Sequence, residues 1–199
     1  ILPVRDIVRM ARERNIEVLV DGAHAFAHFP FTRDELDVDY YGTSLHKWLF
    51  APVGTGFLYV RRSKIKSLWP LMAAPASMDE NIRKYEEIGT HPAANHNAIS
   101  LAVAFNRGIG LERKAARLRY LRDRWAKRLQ SESPRFNILT PLDDRQSGAI
   151  CLVNIEGVET PNLQQWLWSK HKVMTVGIGH PEFHGLRVTP SVYTTVHEV

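Results

Sequence analysis

An apolar run that ends in an acid constrains the fold of this chain more than any other feature. The run IEVLVD, residues 16 to 21, follows residues 4 to 14, whose apolar spacing predicts a helix. A helix, a short loop and a buried strand make up the αβ half of a parallel-sheet unit. We therefore expect an α/β domain in which Asp21 ends a strand.

Two further strands are predicted after this unit. Residues 39 to 45 predict the second strand, and GTGFLYV, residues 54 to 60, predicts the third. Pro52 and Gly54 favour a tight reversal between them, so the third strand should run antiparallel beside the second. Residues 61 to 92 are rich in Pro, Met and charged side chains and predict an irregular link.

The remainder of the chain predicts a smaller α+β domain. A long helical stretch begins at NHNAISLAVAFNRGIG and continues to about residue 130, with a break at Gly108 to Gly110. Four strands are expected around a helix near residues 160 to 171, namely FNILT, AICLVNI, VMTVGI and GLRVTP. This arrangement predicts the remnant of an α/β domain followed by a small α+β domain.

Charge and hydropathy exclude several classes of protein. The net charge of +5 invites a nucleic-acid interpretation, but the basic residues are dispersed along the chain. Their densest cluster, residues 111 to 129, has the apolar spacing of an amphipathic helix with a solvated basic face. No apolar run approaches the roughly 18 residues of a membrane span, and no signal peptide is evident. We expect a cytoplasmic protein without nucleic-acid or membrane partners.

The only cysteine, Cys151, lies in the apolar run GAICLVNI. A lone cysteine provides neither an internal disulfide nor a thiolate metal site, so we predict no metal and a buried packing role for Cys151.

Chemically versatile side chains follow the first two predicted strands. His24 comes three residues after Asp21, and Ser44, His46 and Lys47 stand at the end of the second strand. Ligands of open α/β sheets collect beyond the carboxyl ends of the strands, so these groups are expected to share one crevice. Each has a simpler explanation when taken alone: a capping aspartate, buried histidines with hydrogen-bond partners, a solvated lysine.

Four segments in order carry a family resemblance: VLVDGAHA, DYYGTSLHKWLFAPVGTGFLYV, EEIGTHP and LRVTPSVYTT. Together they resemble the pyridoxal-phosphate enzymes of the class V aminotransferase group, in the branch similar to isopenicillin N epimerase. The resemblance implies the aspartate aminotransferase fold, fold type I. Residues 1 to 75 would be the second half of the large cofactor-binding domain, residues 76 to 97 a link, and residues 98 to 199 the small domain. The group's N-terminal half would be missing, so we expect the chain to be a fragment.

The resemblance also implies roles for the residues at the strand ends. Lys47 would be the Schiff-base lysine and general base, because an amine can carry the cofactor and then move protons at the substrate α-carbon. Asp21 would keep the pyridine nitrogen of pyridoxal 5'-phosphate protonated, because a nearby carboxylate favours the charged form. His24 would hydrogen bond to the ring oxygen of the cofactor.

Further contacts with the cofactor and substrate are implied elsewhere in the chain. Ser44 and His46 resemble the phosphate contacts, and Thr90, after Gly89, resembles the residue that reaches the phosphate of a neighbouring subunit. A homodimer with sites at its interface is therefore expected. Arg187 resembles the arginine that binds the substrate α-carboxylate, for which a guanidinium fork is suited.

These features predict an enzyme that acts on an amino-acid substrate through an external aldimine, of the epimerase or aminotransferase type. A C–S or C–N lyase of the same group, or a non-catalytic degenerate relative, remains an alternative. A cysteine desulfurase is disfavoured, because the stretch VGIGHPEFHGLR before Arg187 lacks the reactive loop cysteine of those relatives.

Overall fold

The first part of the chain forms a three-stranded sheet. The computed structural model describes all 199 residues. The elements of this part are α1 (Val4–Arg12), β1 (Leu19–Asp21), α2 (Arg33–Leu36), β2 (Tyr40–Ser44) and β3 (Gly56–Val60). In the sheet order β1-β2-β3, β1 is parallel to β2, and β2 is antiparallel to β3. The predicted parallel pair and the antiparallel third strand are both confirmed.

Strand β1 is more exposed than its apolar sequence predicts. Leu19 is 65% exposed, because β1 pairs with β2 on one side only and is an edge strand of this sheet. Val18 and Val20 pack instead against the cluster of Val8, Val38 and Tyr41. The prediction of a buried strand is therefore wrong for Leu19, since an unbroken apolar run does not reveal which strand lies at an edge.

The predicted link at residues 61 to 92 contains only short 3₁₀ turns, at Arg62–Lys64, Ala76–Met78 and Ile82–Tyr85. The hydroxyl of Tyr85 shares its single proton between the carbonyl oxygens of Ile65 and Leu68, at 3.0 and 2.9 Å. These bonds tie the end of the irregular segment back to its beginning.

Two long helices follow, α3 (Ala93–Ile109) and α4 (Leu111–Glu132). They are separated at Gly110, whose φ of 84° lies in the region that favours glycine and whose N–H bonds to the Asn106 carbonyl at 3.0 Å. The predicted break is confirmed. None of the helices combines the length and apolarity needed to cross a membrane.

The last part of the chain forms a four-stranded antiparallel sheet. Its elements are β4 (Phe136–Ile138), β5 (Cys151–Ile155), α5 (Thr160–Trp166), a π-helical turn (Leu167–His171), β6 (Val176–Gly179) and β7 (His184–Val188). The strand order is β4-β5-β7-β6. All four predicted strands and the helix between them are present.

The chain divides into two compact units. The first unit comprises Pro3–Leu111, and the second comprises Glu112–Val199 with the first two residues. The division proposed from the sequence, at residues 75 and 97, concerns the domains of the family and stays a prediction.

Helix α4 buries cations as well as apolar side chains. Leu118 and Leu121 have no exposed surface, as its amphipathic spacing predicts. Lys114 and Arg122 also have none, so the prediction of a fully solvated basic face is wrong for these two residues. Burial lowers the pKa of Lys114 to about 8, because desolvation penalises its charged form.

The buried guanidinium of Arg122 is stabilised by hydrogen bonds to Asp123 and to the segment before β5. Its Nη1 donates to Ser147 Oγ at 2.5 Å and to the Gly148 carbonyl at 2.7 Å. Its Nη2 donates to the Leu142 carbonyl at 3.1 Å, and its Nε donates to Asp123 Oδ1 at 2.7 Å. The guanidinium therefore joins α4 to the segment of residues 142 to 148.

We predict that Arg122→Met lowers the free energy of unfolding by about 3 to 5 kcal/mol, because it leaves buried acceptors without donors. Denaturant unfolding of the variant provides the measurement. Arg124→Met is the matched control on the same helix; its side chain is exposed, so the loss should stay within about 0.5 kcal/mol. Equal losses in both variants would contradict the role assigned to the Arg122 hydrogen bonds.

Candidate active site

The carboxyl ends of β1 and β2 lie at one edge of the sheet. Asp21 ends β1 and pairs in parallel register with Gly42, and β2 ends shortly after at Ser44. The carboxylate of Asp21 is exposed, and its Oδ1 accepts a hydrogen bond from the Ala23 N–H at 2.9 Å. This edge therefore carries an oriented acid that takes part in no ion pair within the chain.

The turn after β1 depends on the absence of a side chain at Gly22. A Cβ at this position would lie 1.9 Å from the ring of Tyr41. The Gly22 carbonyl accepts backbone hydrogen bonds from Ala25 at 2.8 Å and Phe26 at 3.0 Å, which close the turn. Burial raises the pKa of Tyr41 to about 12, and the charge of Asp21 adds to the shift, so its phenol stays neutral.

The turn brings His24 to Lys47. His24 Nε2 lies 3.1 Å from Lys47 Nζ, within hydrogen-bonding distance, although the two residues are far apart in sequence. Lys47 is half-buried and belongs to the connection between β2 and β3, and none of the ion pairs in the chain involves it. The structure thus joins an imidazole and an amine at the sheet edge where Asp21 ends β1.

The connection that carries Lys47 is longer than the tight reversal predicted from Pro52 and Gly54. Ser44 and Gly56 are paired in the sheet, so residues 45 to 55 connect the strands. The predicted reversal occupies only the end of this loop, where the Thr55 N–H bonds to the Pro52 carbonyl at 3.3 Å. The additional residues give the loop room to present Lys47.

Two residues that support this loop were missed in the sequence. Asn106 on α3 is buried, and its Nδ2 donates to the Leu49 carbonyl at 2.8 Å. The buried ring of His28 stacks on Trp48. The spacing of His24 and His28, one helical turn apart, could have drawn attention to His28, whereas no local pattern marks Asn106.

The other predicted site residues form no hydrogen bond or ion pair with Lys47. Ser44 is half-buried at the strand end, and His46 is exposed in the loop. Thr90 is exposed in the link, after Gly89 with a φ of 73°. Arg187 lies on β7 in the second unit; its buried Nε has no hydrogen-bond partner and its guanidinium forms no ion pair. Only the contact between His24 and Lys47 is direct.

The family model described as Aminotransferase class-V matches residues 1–195, which is nearly the whole chain. The chain belongs to the aminotransferase class V family. Isopenicillin N epimerase from Streptomyces clavuligerus is 29% identical over 216 residues, which cover 100% of this chain and 54% of that protein. The chain spans about half the length of such class V relatives.

Solved structures show the class V fold. The apo cysteine desulfurase of Thermococcus onnurineus NA1 superposes with a TM-score of 0.84 at 20% identity, over 98% of this chain and 53% of that one. A C-DES mutant with glycine covalently linked to its PLP cofactor has a TM-score of 0.83 at 19% identity, over 100% of this chain and 54% of that one. The predicted family and fold type I are confirmed, and the family together with the PLP-bound neighbour indicates pyridoxal phosphate as cofactor.

Cys151 has the properties of a packing residue, as predicted. Its side chain is fully buried on β5, in the cluster of Trp125, Phe136 and Leu186. Burial raises the pKa of the Cys151 thiol to about 11, because desolvation penalises the thiolate. A buried neutral thiol is a poor nucleophile.

We predict that Cys151 resists alkylation in the native protein. At pH 8 a thiol with a pKa of about 11 is ionised in roughly one molecule per thousand, so iodoacetamide should react at least about 100-fold more slowly than with the unfolded chain. Mass spectrometry of timed samples, with and without denaturant, measures both rates. Rapid labelling of the native protein at pH 8 would show that the thiol is accessible and ionised.

Proposed function

We propose that the full-length protein containing this chain is a pyridoxal-phosphate-dependent enzyme that acts at the α-carbon of an amino-acid substrate, as an epimerase or an aminotransferase. The observation that carries the proposal is the contact of Lys47 Nζ with His24 Nε2, at 3.1 Å, where His24 lies in the turn that follows Asp21 at the end of β1. Membership of the class V family supports the same reaction class, as does the match to isopenicillin N epimerase, which covers 100% of this chain and 54% of that protein.

The groups at this edge fit the chemistry of the cofactor. A pyridinium nitrogen calls for an anion, and Asp21 has no ion-pair partner in the chain. The aldehyde of the cofactor needs an amine that forms no ion pair with a carboxylate, and Lys47 forms none in the chain. The hydroxyl of Ser44 and the exposed imidazole of His46 are suitable partners for a phosphate.

When bound, pyridoxal phosphate supplies an electrophilic carbon for amines and a conjugated ring that accepts the electron pair of a bond broken at the substrate α-carbon. Lys47 would anchor the cofactor through its amine, and the same amine would take a proton from the substrate α-carbon or return one to it. The contact with His24 Nε2, at 3.1 Å, would help to position Lys47 Nζ for this proton transfer.

Asp21 influences the protonation of the ring nitrogen of the cofactor. Its carboxylate, fixed through the Ala23 N–H, favours a protonated ring nitrogen, because opposite charges at close range stabilise the charged form. The imidazole of His24 has a second role as hydrogen-bond partner of the ring oxygen. Both roles require the turn that begins at Gly22.

Phosphate binding is shared between subunits in this proposal. Ser44 and His46 hold the phosphate in their own subunit, and Thr90 of the partner subunit completes the site in a homodimer. The exposed position of Thr90 after Gly89 leaves its hydroxyl accessible for such a contact. We also propose a cytoplasmic location for the enzyme.

Arg187 binds the substrate α-carboxylate in this proposal. Its half-buried guanidinium has no carboxylate partner within the chain, and its Nε lacks any acceptor. A buried donor without a partner is costly, so a substrate carboxylate would satisfy a need that the chain itself leaves open.

A C–S lyase is the second candidate function. The likeness to C-DES, a cystine C-S lyase, favours it, although at 19% identity that likeness shows the fold alone. Desulfurase chemistry is less favoured, because the β6–β7 turn contains no thiol: His180 and Phe183 stack there at 4.4 Å. Cys151, the only cysteine of the chain, is buried, so its thiol is not available as the nucleophile of a desulfurase.

The attachment of the cofactor tests the role of Lys47. In the full-length protein, borohydride reduction should fix the cofactor mass on the peptide that contains Lys47. Lys47→Ala should abolish this label and lower turnover at least about 100-fold, because the anchor and the proton carrier are lost together. Lys66→Ala is the control, since Lys66 is exposed and paired with Glu80 at 2.9 Å. A label on any other lysine would refute the assignment.

The exchange of the α-hydrogen tests the reaction class and Arg187. In deuterated water the enzyme should incorporate deuterium at the α-carbon of its amino-acid substrate, measured by mass spectrometry. Arg187→Ala should raise the substrate concentration for half-maximal exchange roughly 10- to 100-fold, because a charge-assisted carboxylate contact is lost.

The control for this experiment is Arg124→Ala, an exposed arginine of the second unit, which should leave exchange unchanged. Inversion with exchange identifies an epimerase, and an oxo acid identifies an aminotransferase. Sulfide release from a sulfur amino acid would favour the lyase instead. If no amino acid exchanges its α-hydrogen or loses a substituent, the proposed function fails.

A further inference from the structure

His28 occupies a buried position between the two segments of the candidate site. Its side chain is 3% exposed, and its Nδ1 lies 2.8 Å from the carbonyl oxygen of His24. A carbonyl oxygen can only accept a hydrogen bond, so Nδ1 carries the proton and donates it. The ring of His28 therefore restrains the backbone of the residue whose imidazole contacts Lys47.

The same ring also restrains the lysine loop. It stacks on the indole of Trp48, with the ring centroids 3.7 Å apart and the planes 12° from parallel. Trp48 directly follows Lys47 and is buried. The indole is also in edge contact with His24, at 6.5 Å between ring centroids. His28 thus touches the chain at both ends of the contact between His24 and Lys47.

We propose that His28 is a positioning residue for Lys47, a role that rests on the proposed function: its Nδ1–H fixes the His24 backbone while its ring fixes Trp48. The two restraints together set the separation of His24 Nε2 from Lys47 Nζ. An apolar side chain of similar size would fill the same space, yet it would lose the hydrogen bond to the His24 carbonyl. The imidazole is therefore needed for geometry and not only for packing.

Three substitutions separate the two restraints. His28→Asn keeps an amide N–H close to the place of Nδ1 but removes the ring. His28→Phe keeps a stacking ring but removes the donor, and His28→Ala removes both. Val38→Ala is the matched control, because Val38 is 1% exposed in the same unit and its truncation destabilises the core while His28 keeps its ring and its donor.

The experiment uses the full-length holoenzyme. With cofactor at saturation and its attachment to Lys47 verified by borohydride, the visible circular dichroism of the bound cofactor reports how firmly it is oriented. We expect the dichroism to fall most in His28→Ala and less in the Asn and Phe variants. The kcat should fall about threefold to tenfold in His28→Ala with KM little changed, because the loss concerns the proton carrier and not the substrate carboxylate.

Val38→Ala should keep the dichroism and kcat of the wild type despite its lower unfolding midpoint. Dichroism and kcat equal to the wild type in all folded His28 variants would overturn the inference, as would equal losses in Val38→Ala. If His28→Ala does not fold, the Asn and Phe variants decide by the same criteria. Failure to label Lys47 in the wild type would contradict the proposed function itself, which keeps the two outcomes distinguishable.

Discussion

The parallel pairing of β1 with β2 is the constraint on which the candidate site depends. Because the two strands run in the same direction, the turn after Asp21 and the loop after Ser44 leave the sheet at the same edge. The register, with Asp21 opposite Gly42, then determines how far the two segments overlap. A slip by one residue would turn every side chain of the slipped strand to the other face and shift the turn after Asp21 relative to the loop that carries Lys47. The direction and register of the two strands thus determine which segments of the chain form the site.

Elements with a strong local signal could be predicted from the sequence. Apolar periodicity identified helix α1 and the strands of both sheets, and Gly110 marked the break between the long helices, because these signals depend on neighbouring residues alone. The position of Asp21 at the end of a strand was also predicted, whereas the expectation that Asp21 and Lys47 share one crevice stays a prediction. The roles assigned to Thr90 and Arg187 rest on family resemblance and stay predictions.

Features that depend on contacts between distant segments could not be predicted. The exposure of Leu19 follows from the position of β1 at a sheet edge, which its own residues do not encode. The burial of Arg122 depends on carbonyls of residues 142 to 148, far along the chain. The stack of His28 on Trp48 likewise joins two segments that only the folded sheet brings together. In each case the residue type alone suggested the opposite environment or no particular one.

The close approach of Tyr41 to Gly22 limits the order in which these two positions can change during evolution. A side chain at position 22 would meet the Tyr41 ring at 1.9 Å, so no substitution of Gly22 is tolerated while the ring stays in place. A smaller residue at position 41 must come first, and it would open a cavity in the core beside Val8 and Val38. A change at either position therefore passes through a protein with a lower free energy of unfolding. Gly22 and Tyr41 are thus constrained to change together.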